Sequence, residues 1–179
     1  MGGIIGKDFK YKKIKFLEDN EIELFKNYTI IRHRYNQTNF DWKQSPVGDT
    51  MFHGDALADS ILLTKLKLME RETGLDLLPT YSFWRMYSFG SDLKELTDRP
   101  ACEISVTVML GSDGTPWPIY MEDEALDLKP GEACIYMGCE LKHRREEFEG
   151  DWHSQVFLHY VNKNGPHANQ KFDGRDFIV

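Results

Sequence analysis

A few histidine, aspartate, arginine and cysteine positions hold the chemistry this sequence has to offer. His53-Gly54-Asp55 is a literal His-x-Asp, with His143 well downstream. Two imidazoles and one carboxylate can hold a divalent transition metal by one face. The triplet opens a helical pattern, however, and a loop histidine followed by an N-cap aspartate is the better reading. Asp98 precedes Arg99 and reads by itself as half of an ion pair. His143 sits in Lys142-His143-Arg144-Arg145, by itself a solvated basic patch. Arg85 and Tyr87 share one face of a strand-like run. Each has an ordinary reading, a salt-bridged strand residue and a core aromatic, beside a reading as ligand contact. His159 lies in an apolar strand and reads as a satisfied core histidine. Cys134 and Cys139 flank a short strand and a turn and read as small buried hydrophobes.

The elements that must position these residues are bounded by composition. The chain has 179 residues, 41% hydrophobic and 28% charged, which excludes collagen-like, low-complexity and wholly disordered classes and fits one domain with a real core. Its net charge of −7, from 22 basic and 29 acidic residues, argues against coating nucleic acid, so no nucleic-acid partner is expected. No apolar run approaches the ~20 residues of a membrane span. MGGIIGKDFKYKK lacks a long apolar segment and is not expected to act as a secretory signal. MGGIIG also lacks the Ser or Thr at the sixth position of a myristoylation motif. Three cysteines with no CxxC point to a reducing, cytoplasmic setting.

Asn20-Glu21-Ile22-Glu23 is a capping-box signature, and Ile22, Phe25 and Ile30 form a rough apolar stripe, which predicts a first helix. Residues 32–53 are polar, contain Pro46 and Gly48, and read as a long loop. A second helix is predicted from Asp55 to Thr73, on Leu57, Ile61, Leu62, Leu66 and Met69, with Gly74 as its stop. From Leu78 the period becomes two. Tyr81, Phe83, Arg85 and Tyr87 alternate with Ser82, Trp84, Met86 and Ser88, and Ile104, Val106, Val108 and Leu110 share a face. Shorter strands are expected at 117–121, 125–128, 132–137 and 154–161, with Ser112-Asp113-Gly114 and Pro130-Gly131 as turns. The pattern predicts one mainly β domain, a helical N-terminal layer over about 20–74 and a jelly roll over about 78–161, followed by a polar surface tail at 162–179.

Residues 79–93 (PTYSFWRMYSFGSDL), 97–111 (TDRPACEISVTVMLG) and 130–161 (PGEACIYMGCELKHRREEFEGDWHSQVFLHYV) resemble, in order and spacing, the small 2-oxoglutarate, Fe(II)-dependent oxygenases related to prolyl 4-hydroxylases. The resemblance runs from about Leu75 to Arg175. It implies a double-stranded β-helix, a cupin-like jelly roll backed by helices. It also implies Fe(II) and 2-oxoglutarate as cofactors, and hydroxylation of a C–H bond in a prolyl-peptide or small-molecule substrate. Asp98 then maps to the carboxylate ligand of iron and His143 to the downstream imidazole. The first histidine of the set should stand two before Asp98, but that residue is Leu96, which has no lone pair to donate. Glu95, His153 and His159 are the conceivable replacements. The family's Arg or Lys for the distal carboxylate of 2-oxoglutarate falls on His153, ten residues after His143, with Gln155 just beyond. Tyr87, nine before Leu96, stands where a family tyrosine often contacts the co-substrate, and Arg85 or Arg99 is left as the carboxylate anchor. The resemblance thus implies either an iron hydroxylase, with loop 32–53 as a candidate lid, or a catalytically silent jelly-roll binding protein without a complete iron site.

Overall fold

The computed structural model describes residues 5–6, 9–38 and 48–176. Strand β3 (Leu77–Ser88) shows the plan of the fold. Its period-two pattern turns Trp84 and Met86 towards a helical layer and Tyr81, Phe83, Arg85 and Tyr87 towards a second sheet. Both faces of β3 are covered, so its aromatic content serves two interiors.

The other strands are β1 (Tyr11–Lys15), β2 (Thr50–His53), β4 (Leu93–Leu96), β5 (Ile104–Ser112), β6 (Ile119–Met121), β7 (Glu124–Leu126), β8 (Glu132–Met137), β9 (His143–Arg145) and β10 (Trp152–Asn162). They form a six-stranded sheet in the order β1-β8-β5-β10-β3-β2 and a four-stranded sheet in the order β4-β9-β6-β7, with every pairing antiparallel. This is the expected jelly roll.

Three helices, α1 (Asp19–Thr38), α2 (Ala56–Thr64) and α3 (Leu66–Thr73), pack on the outer face of the larger sheet. Phe25, Leu62 and Met69 meet Trp84, Val106, Val108, Ile135 and Leu158 there, all fully buried. Each such side chain contributes roughly 1.5–3 kcal/mol of hydrophobic stabilisation. Ile104 and Leu110 share the buried face of β5 with the two valines, as the alternation predicts. Gly74 ends α3 at φ 72°, a left-handed conformation open to glycine without steric cost. Asp55 caps α2 as read, accepting from the N–H groups of Leu57 (3.0 Å) and Ala58 (3.3 Å), whereas His53 is the last residue of strand β2 rather than a loop histidine. Among the described residues no helix is long and apolar enough to cross a membrane.

The structure differs from the sequence reading in four places. Helix α1 starts at Asp19 and continues to Thr38, through residues expected in a loop, and Glu21 Oε2 accepts from the N–H of Glu18 (2.8 Å), two residues ahead of the expected box. Its polar second half is held by β2: His33 Nδ1 lies 2.8 Å from Thr50 Oγ1, Asn36 donates to the same hydroxyl (3.2 Å), and Arg32 lies over the Phe52 ring. Residues 39–47 of the expected lid lie outside the described residues. The second helix breaks at Lys65, which pairs with Glu21 at 2.7 Å. Short strands β1, β2, β4 and β9 were not expected.

The segment after β10 is also no free tail. Arg175 Nη1 lies 2.6 Å from Asp59 Oδ2, and Nη2 donates to the Thr80 carbonyl (3.0 Å), while the other Asp59 oxygen accepts from Ser82 (2.7 Å). Arg175→Ala removes charge-assisted bonds worth roughly 1.5–3 kcal/mol and leaves Asp59 partly buried without its cation. We expect urea unfolding to move to lower concentration by a corresponding amount; an unchanged midpoint would mean the segment is merely laid on the surface.

Candidate functional site

Between the two sheets lies a cavity of about 160 Å³. Tyr81 and Tyr87 of β3, Leu96 of β4, Tyr136 of β8, His143 of β9 and Asp98 after β4 are among its lining residues. Asp98 is fixed by its own backbone, whose N–H donates to the Gly138 carbonyl (2.7 Å). Its Oδ1 lies 3.5 Å from His143 Nε2, and its Oδ2 accepts from Ser105 Oγ and Tyr136 OH, both at 3.4 Å. Burial pushes the Asp98 carboxyl above its usual range, against the nearby His143.

The His143 ring is set by the Leu141 carbonyl, 3.1 Å from Nδ1. A carbonyl only accepts, so Nδ1 carries a proton there, and Nε2 faces Asp98. The two residues that the resemblance maps to ligands therefore stand side by side. Their neighbours Lys142 and Arg144 point out, while His143 itself is 4% exposed, so it does not belong to a solvated patch. Leu96 is the cross-strand partner of His143 and lines the same cavity. Hydrocarbon stands where the resemblance asks for an imidazole.

None of the conceivable replacements restores that position. Glu95 pairs with Lys142 (3.2 Å) on the outside. His153 is held by Gln155, its Nε2 2.9 Å from the amide oxygen, and the Gln155 amide donates to Thr107 (2.6 Å). His159 lies close to Asp98, but with Cys102 rather than His143: one ligand atom from each of Asp98, Cys102 and His159 falls within 4.8 Å of the others. At the Leu96 position the donor set that the resemblance asks for is thus not fitted: Asp98 and His143 face an alkyl group there, and the further imidazole near Asp98 is that of His159 on β10.

The residues expected to hold a carboxylate are also placed otherwise. Arg85 is bound to the buried Asp49, Nε to Oδ2 at 2.5 Å, with its guanidinium 4.3 Å over the Tyr87 ring. Arg99 makes a bidentate pair with Asp173 (2.6 and 2.7 Å), which holds its own pKa above the usual range. Both cations are already matched by anions. His153 has its pKa pushed down to about 3, first by burial and then by Arg145, and as a neutral ring it is no anion anchor.

Arg145, read from the sequence as part of a solvated basic patch, is buried instead. It lies two residues along the same face of β9 from His143 and is 4% exposed. Nη1 donates to the Trp117 carbonyl (2.6 Å), the guanidinium stacks over the Trp117 ring at 4.5 Å, and Nε has no partner. Among the described residues no carboxylate lies in ion-pair contact with it. Burial pulls its pKa down to about 10. His153 Nδ1, close by, is a second buried atom without a partner. An unmatched buried charge is costly, and the deep end of the jelly roll holds one together with an unused acceptor. The available signal was the period of two that places His143 and Arg145 on one face, masked by the basic run around them.

No family model and no curated protein matches the sequence. Solved structures do. The viral collagen prolyl hydroxylase of Paramecium Bursaria Chlorella virus-1, in its 2-oxoglutarate complex, superposes with a TM-score of 0.62 at 14% identity, over 86% of this chain and 96% of that one. A Pseudomonas putida prolyl-4-hydroxylase gives 0.65 at 13% identity, over 86% and 94%. The fold is that of the 2-oxoglutarate, Fe(II) oxygenases. Within this fold, EctD from S. alaskensis, solved with bound Fe, is similar with a TM-score of 0.60 at 14% identity, over 86% of this chain and 73% of that one. The prolyl hydroxylase-like architecture is therefore established, while the oxygenase fold itself leaves the activity open.

Proposed function

We propose that the chain is a binding protein on the oxygenase fold, that it takes a small dicarboxylate of the 2-oxoglutarate type, and that it lacks a complete iron site of the facial-triad kind. The observation that carries this is Arg145, a buried guanidinium with an open Nε and no anion beside it among the described residues. Arg145 and His143 are two strand residues apart, about 7 Å. One carboxylate of such a ligand would take the guanidinium of Arg145. The cavity of about 160 Å³ that His143 and Tyr87 line, with Arg145 behind them rather than in its wall, favours a small metabolite, being well below the ~300 Å³ at the lower end for drug-sized ligands. Such a ligand fits a cytoplasmic setting and requires neither nucleic acid nor membrane. The proximity of Asp98 and His143 favours a second reading, a hydroxylase acting on a prolyl peptide or small molecule. That reading needs a third donor from outside the Leu96 position.

Calorimetric titration with 2-oxoglutarate tests the proposal. A charge-assisted, bidentate contact is worth roughly 1.5–3 kcal/mol, so Arg145→Met should weaken binding by about 10–100-fold. Thermal unfolding of the variant verifies that it is folded. Equal binding by parent and variant, or no binding by the parent, would overturn it.

A further inference from the structure

We infer that Asp98, Cys102 and His159 form a site for a thiophilic divalent cation, Zn(II) in the first place, which shares Asp98 with the iron position that Leu96 leaves incomplete but takes its other donors from elsewhere. The inference stands apart from the dicarboxylate reading, which uses Arg145. Three separate elements bring the donors together. Asp98 follows β4, Cys102 ends the short 3-10 turn Pro100–Cys102, and His159 lies on β10 opposite Ser105 of β5. One ligand atom from each falls within 4.8 Å of the others, and Cys102 and His159 are 2% and 5% exposed.

Among the described residues the Asp98 carboxylate has no close partner. Its contacts to Ser105, Tyr136 and His143 are 3.4, 3.4 and 3.5 Å, all longer than the 2.5–2.9 Å typical of a charge-assisted hydrogen bond. A cation would supply the missing interaction. Room has been kept for the crowding: a Cβ at Gly138 would stand 2.2 Å from the Cys102 carbonyl oxygen and 2.7 Å from Asp98 Oδ2. Supporting groups surround the donors. Ser105 Oγ, 2.8 Å from His159 Nδ1, steadies that ring, and Tyr81 OH lies 3.1 Å from Cys102 Sγ.

The donor types select the cation. One thiolate, one imidazole and one carboxylate suit Zn(II), whereas oxygen-rich sets suit magnesium and calcium. His143 Nε2, 3.5 Å from Asp98, is the nearest further donor. On binding, the S–H bond of Cys102 gives way to a sulfur–metal bond and the proton leaves to solvent. Affinity therefore rises with pH. His159 is kept neutral by burial, its pKa lowered to about 3, and needs no deprotonation.

Cobalt(II) is the probe, with the full-length chain reduced and stripped of metal. The parent should show the near-ultraviolet thiolate-to-cobalt charge-transfer band and the visible bands of a four-coordinate ion, and Zn(II) should abolish both. Cys102→Ser should remove the charge-transfer band and weaken Zn(II) by at least ~10–100-fold, since losing even a supporting partner costs that much. Cys139→Ser should keep the band. Cys102 is buried, so His159→Gln serves as a second variant, with the unfolding curve of each metal-free protein measured alongside. Arg145→Met should retain the band while losing the dicarboxylate, which separates failure of this inference from failure of the binding reading. A folded parent without the band, or a band that survives Cys102→Ser, would overturn the assignment.

Discussion

Leu96→His should bind Fe(II) at least ~10–100-fold more tightly than the parent chain in an anaerobic titration. The reason lies in the pairing of β4 with β9. Leu96 is the cross-strand partner of His143, and both side chains line the cavity that Asp98 enters. A histidine at that position adds the third donor to a carboxylate and an imidazole already 3.5 Å apart. Fe(II) lies low in the affinity order of divalent metals, so two donors hold it poorly, and completing the set gives a large gain. Leu96 is only half-buried, so the substitution should alter stability little. Asp98 also belongs to the cluster with Cys102 and His159, and a Zn(II)-loaded protein should therefore resist iron until the zinc is removed. A variant that takes up no more iron than the parent would undo the placing of Asp98 and His143 as ligand positions.

Acid should destabilise the protein steeply below about pH 6.5, the usual pKa of an unfolded histidine. In the folded chain His153 and His159 are both pushed down to about 3, chiefly by burial. Arg145 adds to the effect at His153, and Arg99 at His159. Both rings stay neutral in the fold while the unfolded chain takes up a proton at each. The stability they contribute is complete above about pH 6.5 and is lost as pH falls towards about 3. Each histidine costs about 1.4 kcal/mol per pH unit in that window, so the pair removes roughly 4–5 kcal/mol between about pH 6.5 and pH 4.5. Asp98 acts in the opposite sense. Its raised pKa lets the fold keep a proton that the unfolded chain has lost, which favours the fold at the acid end. Urea unfolding at a series of pH values measures the slope. His153→Gln and His159→Gln should each remove about half of it. A stability that stays flat from neutral pH to about pH 4.5 would mean that these rings are hydrated or paired in solution.

The prediction from sequence succeeded where neighbours along the chain decide. The alternation of Ile104, Val106, Val108 and Leu110 buries one face of β5, and the break at Gly74 ends α3 in the left-handed conformation. Asp55 caps α2 because its carboxylate needs only the N–H groups two and three residues ahead. The order of three matching segments was enough to name the fold, and the absent donor at Leu96 was visible in the same stretch.

Short strands were missed because three or four residues hold too little of a period to be seen. Strands β4 and β9 exist through their pairing with each other and with β6. The partners of the charged residues were out of reach for a related reason. Arg85 finds Asp49 at a separation of 36 residues, and Arg99 finds Asp173 at 74. Nothing in the local pattern says that these two cations are already paired and that Arg145 is not.

The sequence alone therefore determined the jelly roll, the helical layer on it and the absence of an imidazole at position 96, since each depends on residue type and short-range period. Only the tertiary structure decided that Arg145 is buried without an anion among the described residues, and that Cys102 and His159 approach Asp98. Those facts depend on the pairing of β9 with β4 and β6, on the register of β5 and β10 and on the close approach at Gly138, which arise when distant strands pair and exclude water from the charges between them.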